Sequence, residues 1–199
     1  TIINDDLCLE ALVMVKSLWE KFQRSSSRNL LALFSFHLAR IPAKVKQGKL
    51  VAFFEQDRSS WNQEFIKLGF HYMQQPDTLN KYYLEALLTS KHMTSPGINT
   101  KHWEEIIQLY QLLLQVSDSP ITKLNLCYCL SKAHRLEEAK VLLQKVEKEL
   151  PKAHIYLSLV KANLFKDGQN AEKLINEALQ GIQQKIRREY ILENMLADF

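Results

Sequence analysis

Apolar residues recur along most of this chain at the three- and four-residue intervals of an α-helix, and hardly anywhere with the alternation of a strand. Leu7, Ala11, Met14, Val15, Leu18, Trp19 and Phe22 keep that spacing and predict a first helix, capped by Asn4 or Asp5. The run RNLLALFSFHLAR, Arg28 to Arg40, predicts a second helix, apolar on most sides and therefore central. Pro42 stops it. Residues 42 to 57 predict a loop that turns at Gln47-Gly48. SSWNQEFIKLGFHYMQQ predicts a third helix, capped by Asp57, Ser59 or Ser60. DTLNKYYLEALLTSKHM predicts a fourth, and TSPGINT then breaks the chain.

Beyond the break, Trp103, Ile106, Ile107, Tyr110, Leu113 and Leu114 draw an apolar stripe. Ser119-Pro120 reads as a cap followed by proline at the first helical position, opening a helix to about Ala133. Ala139, Leu142, Leu143, Val146 and Leu150 mark the next. Further helices are expected from Lys152 to Phe165, from Asn170 to Gln184 and from Glu189 to Ala197. This half repeats itself. LEEAKVLLQKVEKELP aligns with GQNAEKLINEALQGI, Ala139 over Ala171 and Leu143 over Ile175, and HWEEIIQLYQLLLQVSDSP resembles both more weakly. The period is close to the roughly 34 residues of tetratricopeptide helix pairs, which stack because one pair cannot cover its own apolar face. The expected fold is all-α: antiparallel hairpins stacked as a tetratricopeptide-like repeat of about nine or ten helices. Its parts are 1–97, with the 42–57 loop, and 98–199, in one continuous domain.

Composition narrows the function. At 199 residues the chain can bury about 70 % of its unfolded surface without a disulfide or metal staple. Its net charge of +4 is spread among interspersed acids and does not demand nucleic acid. Lys44, Lys46 and Lys49, and again Lys185, Arg187 and Arg188, make small basic clusters, read first as solvated ends. Cys8, Cys127 and Cys129 are odd in number and form no CxxC, which points to free thiols, a reducing compartment and a cytoplasmic protein. No apolar run reaches the roughly 18 residues of a membrane span. Phosphate-loop, dinucleotide, nucleophile-elbow and zinc-helix motifs are missing, and no two histidines sit at metal spacing. His134 with Glu138 has workable spacing, but such a pair is usually a solvated face. The expectation is a non-enzyme with no cofactor and no metal. Thr1 opens the chain without an initiator methionine, so a piece of a longer protein is expected.

The stretch FFEQDRSSWNQEF, Phe53 to Phe65, breaks the plain amphipathic pattern. Asp57 can cap a helix, Arg58 can bind a carboxylate or stray carbonyls, and Trp61 brings an apolar body and one N–H. Two readings stand. The cluster pins the loop against the bundle, or it forms a docking surface, since Trp and Arg are enriched at binding hot spots. The candidate docking loop comprises Lys44, Lys46, Lys49, Phe53 and Phe54.

LLALFSFHLARIPAKVKQGKLVAFFEQDRSSWN resembles a signature of one group of bacterial extracytoplasmic-function sigma factors that carry a long helical C-terminal extension. His37, Ala39, Arg40, Gly48, Gln56, Asp57, Arg58, Ser59, Trp61 and Asn62 match it. DLCLEALVMVKSL is similar to the start of the extension, and Trp103, Tyr110, Ser119-Pro120 and Leu124-Asn125 match further along, so the resemblance is collinear over nearly the whole chain. Leu126 stands where that pattern has an arginine. The resemblance implies an accessory C-terminal domain that modulates promoter-directed transcription by RNA polymerase through protein contacts. Its partners would be the protein's own promoter-binding regions, upstream of Thr1, and the polymerase. DNA would be met only through those regions, and no membrane or metal is involved. The alternative is a stand-alone repeat adaptor that grips a peptide.

Overall fold

The computed structural model describes residues 4–165 and 170–196. Among them are ten α-helices, a few short 3₁₀ turns and one pair of two-residue strands. The fold is all-α, as the helical spacing predicts. The chain divides into two compact units, Thr1–Pro96 and Gly97–Phe199. None of the helices among the described residues is long and apolar enough to cross a membrane.

The first unit holds α1 (Asp5–Phe22), α2 (Ser25–Ala39), strands β1 (Val45–Lys46) and β2 (Lys49–Leu50), α3 (Gln63–Tyr72) and α4 (Lys81–Thr94). Helix α2 is its hub, because α1, α3 and α4 all pack on it. Its sequence is apolar nearly all round, which suits a helix surrounded by others. Leu31, Ala32, Phe36 and Ala39 are fully buried. Ser35 is buried too, and its hydroxyl donates to the Leu31 carbonyl at 2.7 Å, so no polar atom is stranded there. Gly69 on α3 lets the α3 backbone approach that hub. A Cβ at this position would lie 2.4 Å from the Phe36 ring.

Asparagines open four of the helices. Asn4, Asn62, Asn80 and Asn99 each accept from a backbone N–H of the first turn, of α1, α3, α4 and α5 respectively. For α3 this corrects the expected caps. Asp57, Ser59 and Ser60 belong to a separate 3₁₀ turn, Arg58–Ser60, and the helix starts only after Asn62. Helix α1 differs in another way. Leu12 and Val15 are buried, and Cys8 and Trp19 partly so. The stripe read from the sequence overlaps that face in Val15 and Trp19, but Leu7, Met14, Leu18 and Phe22 stay 48–67 % exposed.

The second unit runs α5 (Thr100–Val116), α6 (Pro120–Lys132), α7 (Leu136–Glu149), α8 (Ile155–Leu164), α9 (Ala171–Gln180) and α10 (Lys185–Ile191), with a π-type turn over Leu192–Leu196. Successive helices pack, α5 on α6, α6 on α7 and α8 on α9, and α6 also meets α8. The two aligned repeats bury equivalent positions: Ala139 and Ala171, and Leu143 and Ile175. His134, in the left-handed region at φ 62°, turns the chain from α6 to α7. Helix α9 stops at Gln180 rather than running to Gln184, so Lys185, Arg187 and Arg188 open α10 instead of closing α9. Arg188 donates to the Ile182 carbonyl at 3.1 Å. Ala197, the expected end of the last helix, lies outside the described residues.

Gly69→Ala tests the α2–α3 approach. Helix propensity favours alanine by about 1 kcal/mol, but forcing a methyl into a closed core costs about 1–3 kcal/mol. Phe36 is fully buried, so a net loss of about 1–2 kcal/mol is expected in urea unfolding.

Candidate functional site

The site grows out of the buried end of α2. A helix leaves its last carbonyls without intrahelical partners, and here that end is inside the unit. The backbone N–H of Asn62 donates to the Ala39 carbonyl at 2.8 Å, which draws the start of α3 onto the end of α2. Between these two points lie the 22 residues that the loop must fold away. Pro42 sits in a 3₁₀ turn, Ile41–Ala43. Then β1 and β2 pair antiparallel, Val45 opposite Leu50 and Lys46 opposite Lys49. The two turn residues, Gln47 and Gly48, both have positive φ (51° and 79°), the geometry of a tight two-residue hairpin. The hairpin arises inside a segment read from sequence as loop, at the turn that reading placed.

Arg40 organises the return. It is 9 % exposed, and its guanidinium carbon lies 3.7 Å from the centre of the Phe53 ring. Its Nε donates to Gln56 Oε1 at 3.2 Å, and Gln56 Nε2 donates in turn to the Val51 carbonyl at 3.2 Å. Burial lowers the Arg40 pKa to about 10, still high enough to keep the cation at neutral pH. Lys44 is lowered as well, first by burial and then by Arg40. Phe53 meets the edge of Trp61 at 5.9 Å, and Phe53 and Phe54 both lie against His92 of α4. Trp61 is 5 % exposed, and its Nε1 meets no acceptor among the described residues. Its contribution is packing rather than a hydrogen bond.

Asp57 faces solvent, and Arg58 passes over the Trp61 ring, 5.6 Å from its centre, to reach α4. The Asp57 carboxylate is exposed and accepts from the Ser59 hydroxyl (2.7 Å), the Ser59 N–H (2.9 Å) and the Ser60 hydroxyl (3.2 Å). These bonds, led by the Ser59 hydroxyl, hold its pKa below the ordinary carboxylate value. Arg58 donates to the Ser95 carbonyl at 2.8 Å, just past the end of α4. One short motif thus ties the ends of two helices: Asn62 serves α2, and Arg58 serves α4.

The remaining candidates fall into two groups. Lys46, Lys49 and Phe54 are exposed around the hairpin, whereas Lys44 and Phe53 are half-buried. His37 is exposed on α2. Trp103, Tyr110 and Asn125 belong to the second unit. Trp103 is buried against Tyr128, Tyr110 is half-buried and Asn125 is exposed. His134 and Glu138 form no pair, because the Glu138 carboxylate takes both Nε and Nη2 of Arg135 at 2.7 Å. Among the described residues, no three His, Cys, Asp or Glu side chains are grouped to hold a metal. Sequence reasoning missed His92 and Ser95, which complete the cluster from α4. Nothing local to either residue marks it.

A family model described as a family of unknown function (DUF6596) matches residues 1–76, from the start of the chain through α3. No curated protein and no solved structure matches the chain.

Trp61 variants separate packing from polarity. Trp61→Ala is expected to lower the unfolding free energy by about 3–5 kcal/mol. Trp61→Phe keeps a ring and loses no hydrogen bond, so its cost in the same urea titration should be less than half as large.

Proposed function

We propose that this chain is the accessory helical domain of a bacterial sigma factor, and that it modulates transcription initiation by docking on the protein's own promoter-binding regions or on RNA polymerase. The observation that carries the reading is the α1 face. Leu7, Met14, Leu18 and Phe22 form an exposed apolar stripe that spans about 22 Å of helix at 1.5 Å per residue. Exposed apolar stripes of this kind mark protein contacts. The collinear resemblance, from the N-terminal segment through the Q-D-R-S-x-W stretch to the Ser-Pro-capped helix, supports the choice of partner.

The hairpin adds a second contact of defined chemistry. Lys46 and Lys49 stand directly opposite each other across the ladder. Asp57 lies near enough to Lys46 for their charges to interact, so the positive charge of the hairpin is partly answered within the chain. Phe54, packed on Phe53 and His92, is partly exposed and supplies apolar area. Arg40, Gln56 and Trp61 hold the hairpin in place from beneath without facing the partner themselves.

No catalytic role enters this reading. The thiols of Cys127 and Cys129 are pushed up to about 12 by burial, so neither is a nucleophile at neutral pH. On this reading the protein works in the cytoplasm and meets DNA only through its promoter-binding regions. A change of about 1–3 kcal/mol in the balance between docked and free arrangements would alter activity roughly 5- to 150-fold.

The double variant Met14→Glu, Leu18→Glu tests this in the full-length protein. Both side chains are exposed, so the melting temperature should hold. Promoter-dependent transcription should change by at least about 5-fold, the lower end of that range. An unchanged transcription rate with an intact fold removes the docking role of α1.

A further inference from the structure

The contacts of Arg40 leave its charge unanswered. Its side chain is met by the Gln56 amide at Nε and by the face of Phe53, and by no carboxylate among the described residues. Nη1 and Nη2 have no acceptor there either, and neither is sealed from solvent as Trp61 Nε1 is. Other arginines are served differently. Arg135 takes Glu104 and Glu138, Arg58 takes the Ser95 carbonyl, and Arg28 takes Gln74 and the His71 carbonyl. Arg40 is more buried than any of them, yet it has no counter-ion.

Lys44 repeats the problem. The 3₁₀ turn Ile41–Ala43 carries the end of α2 on by one turn, and the Lys44 N–H donates to the Ile41 carbonyl at 3.1 Å. Lys44 is half-buried and forms no ion pair among the described residues. His37 stands three residues before Arg40, the spacing that sets two side chains next to each other on a helix. Their mutual effects show how near the three lie. Burial and then Arg40 lower the Lys44 pKa, while Cys8 of α1 acts on it in the opposite sense. His37 keeps an exposed edge, but the protein packed around it, and after that Lys44 and Arg40, lower its pKa to about 4.

Cations taken out of water in proteins are almost always paired. The end of α2 supplies only about half a negative charge. Its carbonyls are also occupied: that of Ala39 accepts from Asn62, that of Arg40 from Ala43 and that of Ile41 from Lys44. Two cations against half a charge leave an excess for something outside the chain to answer.

We infer that Arg40, Lys44 and His37 bind a phosphate dianion, either free or as the end group of a small ester. The two open Nη groups suit two phosphate oxygens, and the Lys44 ammonium meets a third as a point charge. His37, neutral at pH 7, borders the same anion, whose charge favours a second proton on the ring. A carboxylate is planar and carries one charge, so it would satisfy the guanidinium and leave Lys44 unanswered. The inference stands apart from the docking contacts, since neither the α1 stripe nor Lys46 and Lys49 enter it.

Inorganic phosphate, glycerol phosphate and propionate are the probes, titrated into the full chain while the His37 ring resonances are followed across pH. Saturable binding of phosphate or of the ester, much weaker binding of propionate, and a His37 pKa raised from about 4 towards the ordinary value of about 6.5 are the expected result. Tighter binding of glycerol phosphate than of phosphate assigns the site to an ester, and equal or weaker binding assigns it to the free ion. Lys44→Gln removes a like charge from beside Arg40, so it should fold, and it should weaken binding by about tenfold or more. If it does not fold, Lys44→Met, which keeps the buried stem, is read for the same loss. No saturation by either phosphate probe, propionate bound as tightly as phosphate, a His37 pKa unmoved at saturation, or a folded Lys44 variant that binds like wild type would overturn the inference. So would a short DNA duplex that displaces bound phosphate at a lower concentration than either phosphate probe needs, because it would assign the cluster to nucleic acid.

Discussion

A helix whose C-terminal end is buried must have its last carbonyls answered from inside the protein, and the first unit is arranged around that requirement. Helix α2 is enclosed by three others, and its final residues, Ala39 and Arg40, end under cover. The Ala39 carbonyl is met by Asn62, and the Arg40 cation by the Phe53 face and the Gln56 amide. Both solutions need a chain that leaves α2 and comes back within a short span. The two-residue hairpin makes that return possible, and the positive φ of Gln47 and Gly48 makes the hairpin. What reads in sequence as an unusual run of Gln, Asp, Arg, Ser, Trp and Asn is a set of answers to buried helix ends.

This arrangement separates support from surface. Arg40, Gln56 and Trp61 face inward, and changes to them act on stability. Lys46, Lys49 and Phe54 around the hairpin, with the outer stripe of α1, face solvent and are the parts that a partner meets on the proposed reading. Arg58 lies between the two groups, since its side chain reaches the end of α4.

The helices were legible because their spacing is long and regular. The apolar perimeter of α2 announced its central place, and the Ala139–Ala171 alignment foretold equivalent buried positions. The Ser119-Pro120 pair marked the start of α6. Where reading failed, the deciding contact lay far along the chain. On helix α1 the apolar stripe is wider than the buried face, Val15 and Trp19 packing inward while Leu7, Met14 and Leu18 stay exposed, and only the packed neighbour draws that line. The three candidate caps, Asp57, Ser59 and Ser60, lie within a few residues of the true one, and the bond from Asn62 to Ala39 places the start of α3 after Asn62. Strands of two residues are too short to alternate, so only their turn was visible. The bond from the Gln74 N–H to Asn29 spans 45 residues, and neither residue signals the other.

The most direct test of the clamp is a double-mutant cycle on Arg40 and Phe53, with Arg40→Leu, Phe53→Leu and both together, measured by urea unfolding of the full chain. A desolvated cation over an aromatic face predicts a coupling energy of about 1–2 kcal/mol. Strictly additive single effects, with no coupling between the two residues, would contradict the claim that this contact closes the buried end of α2.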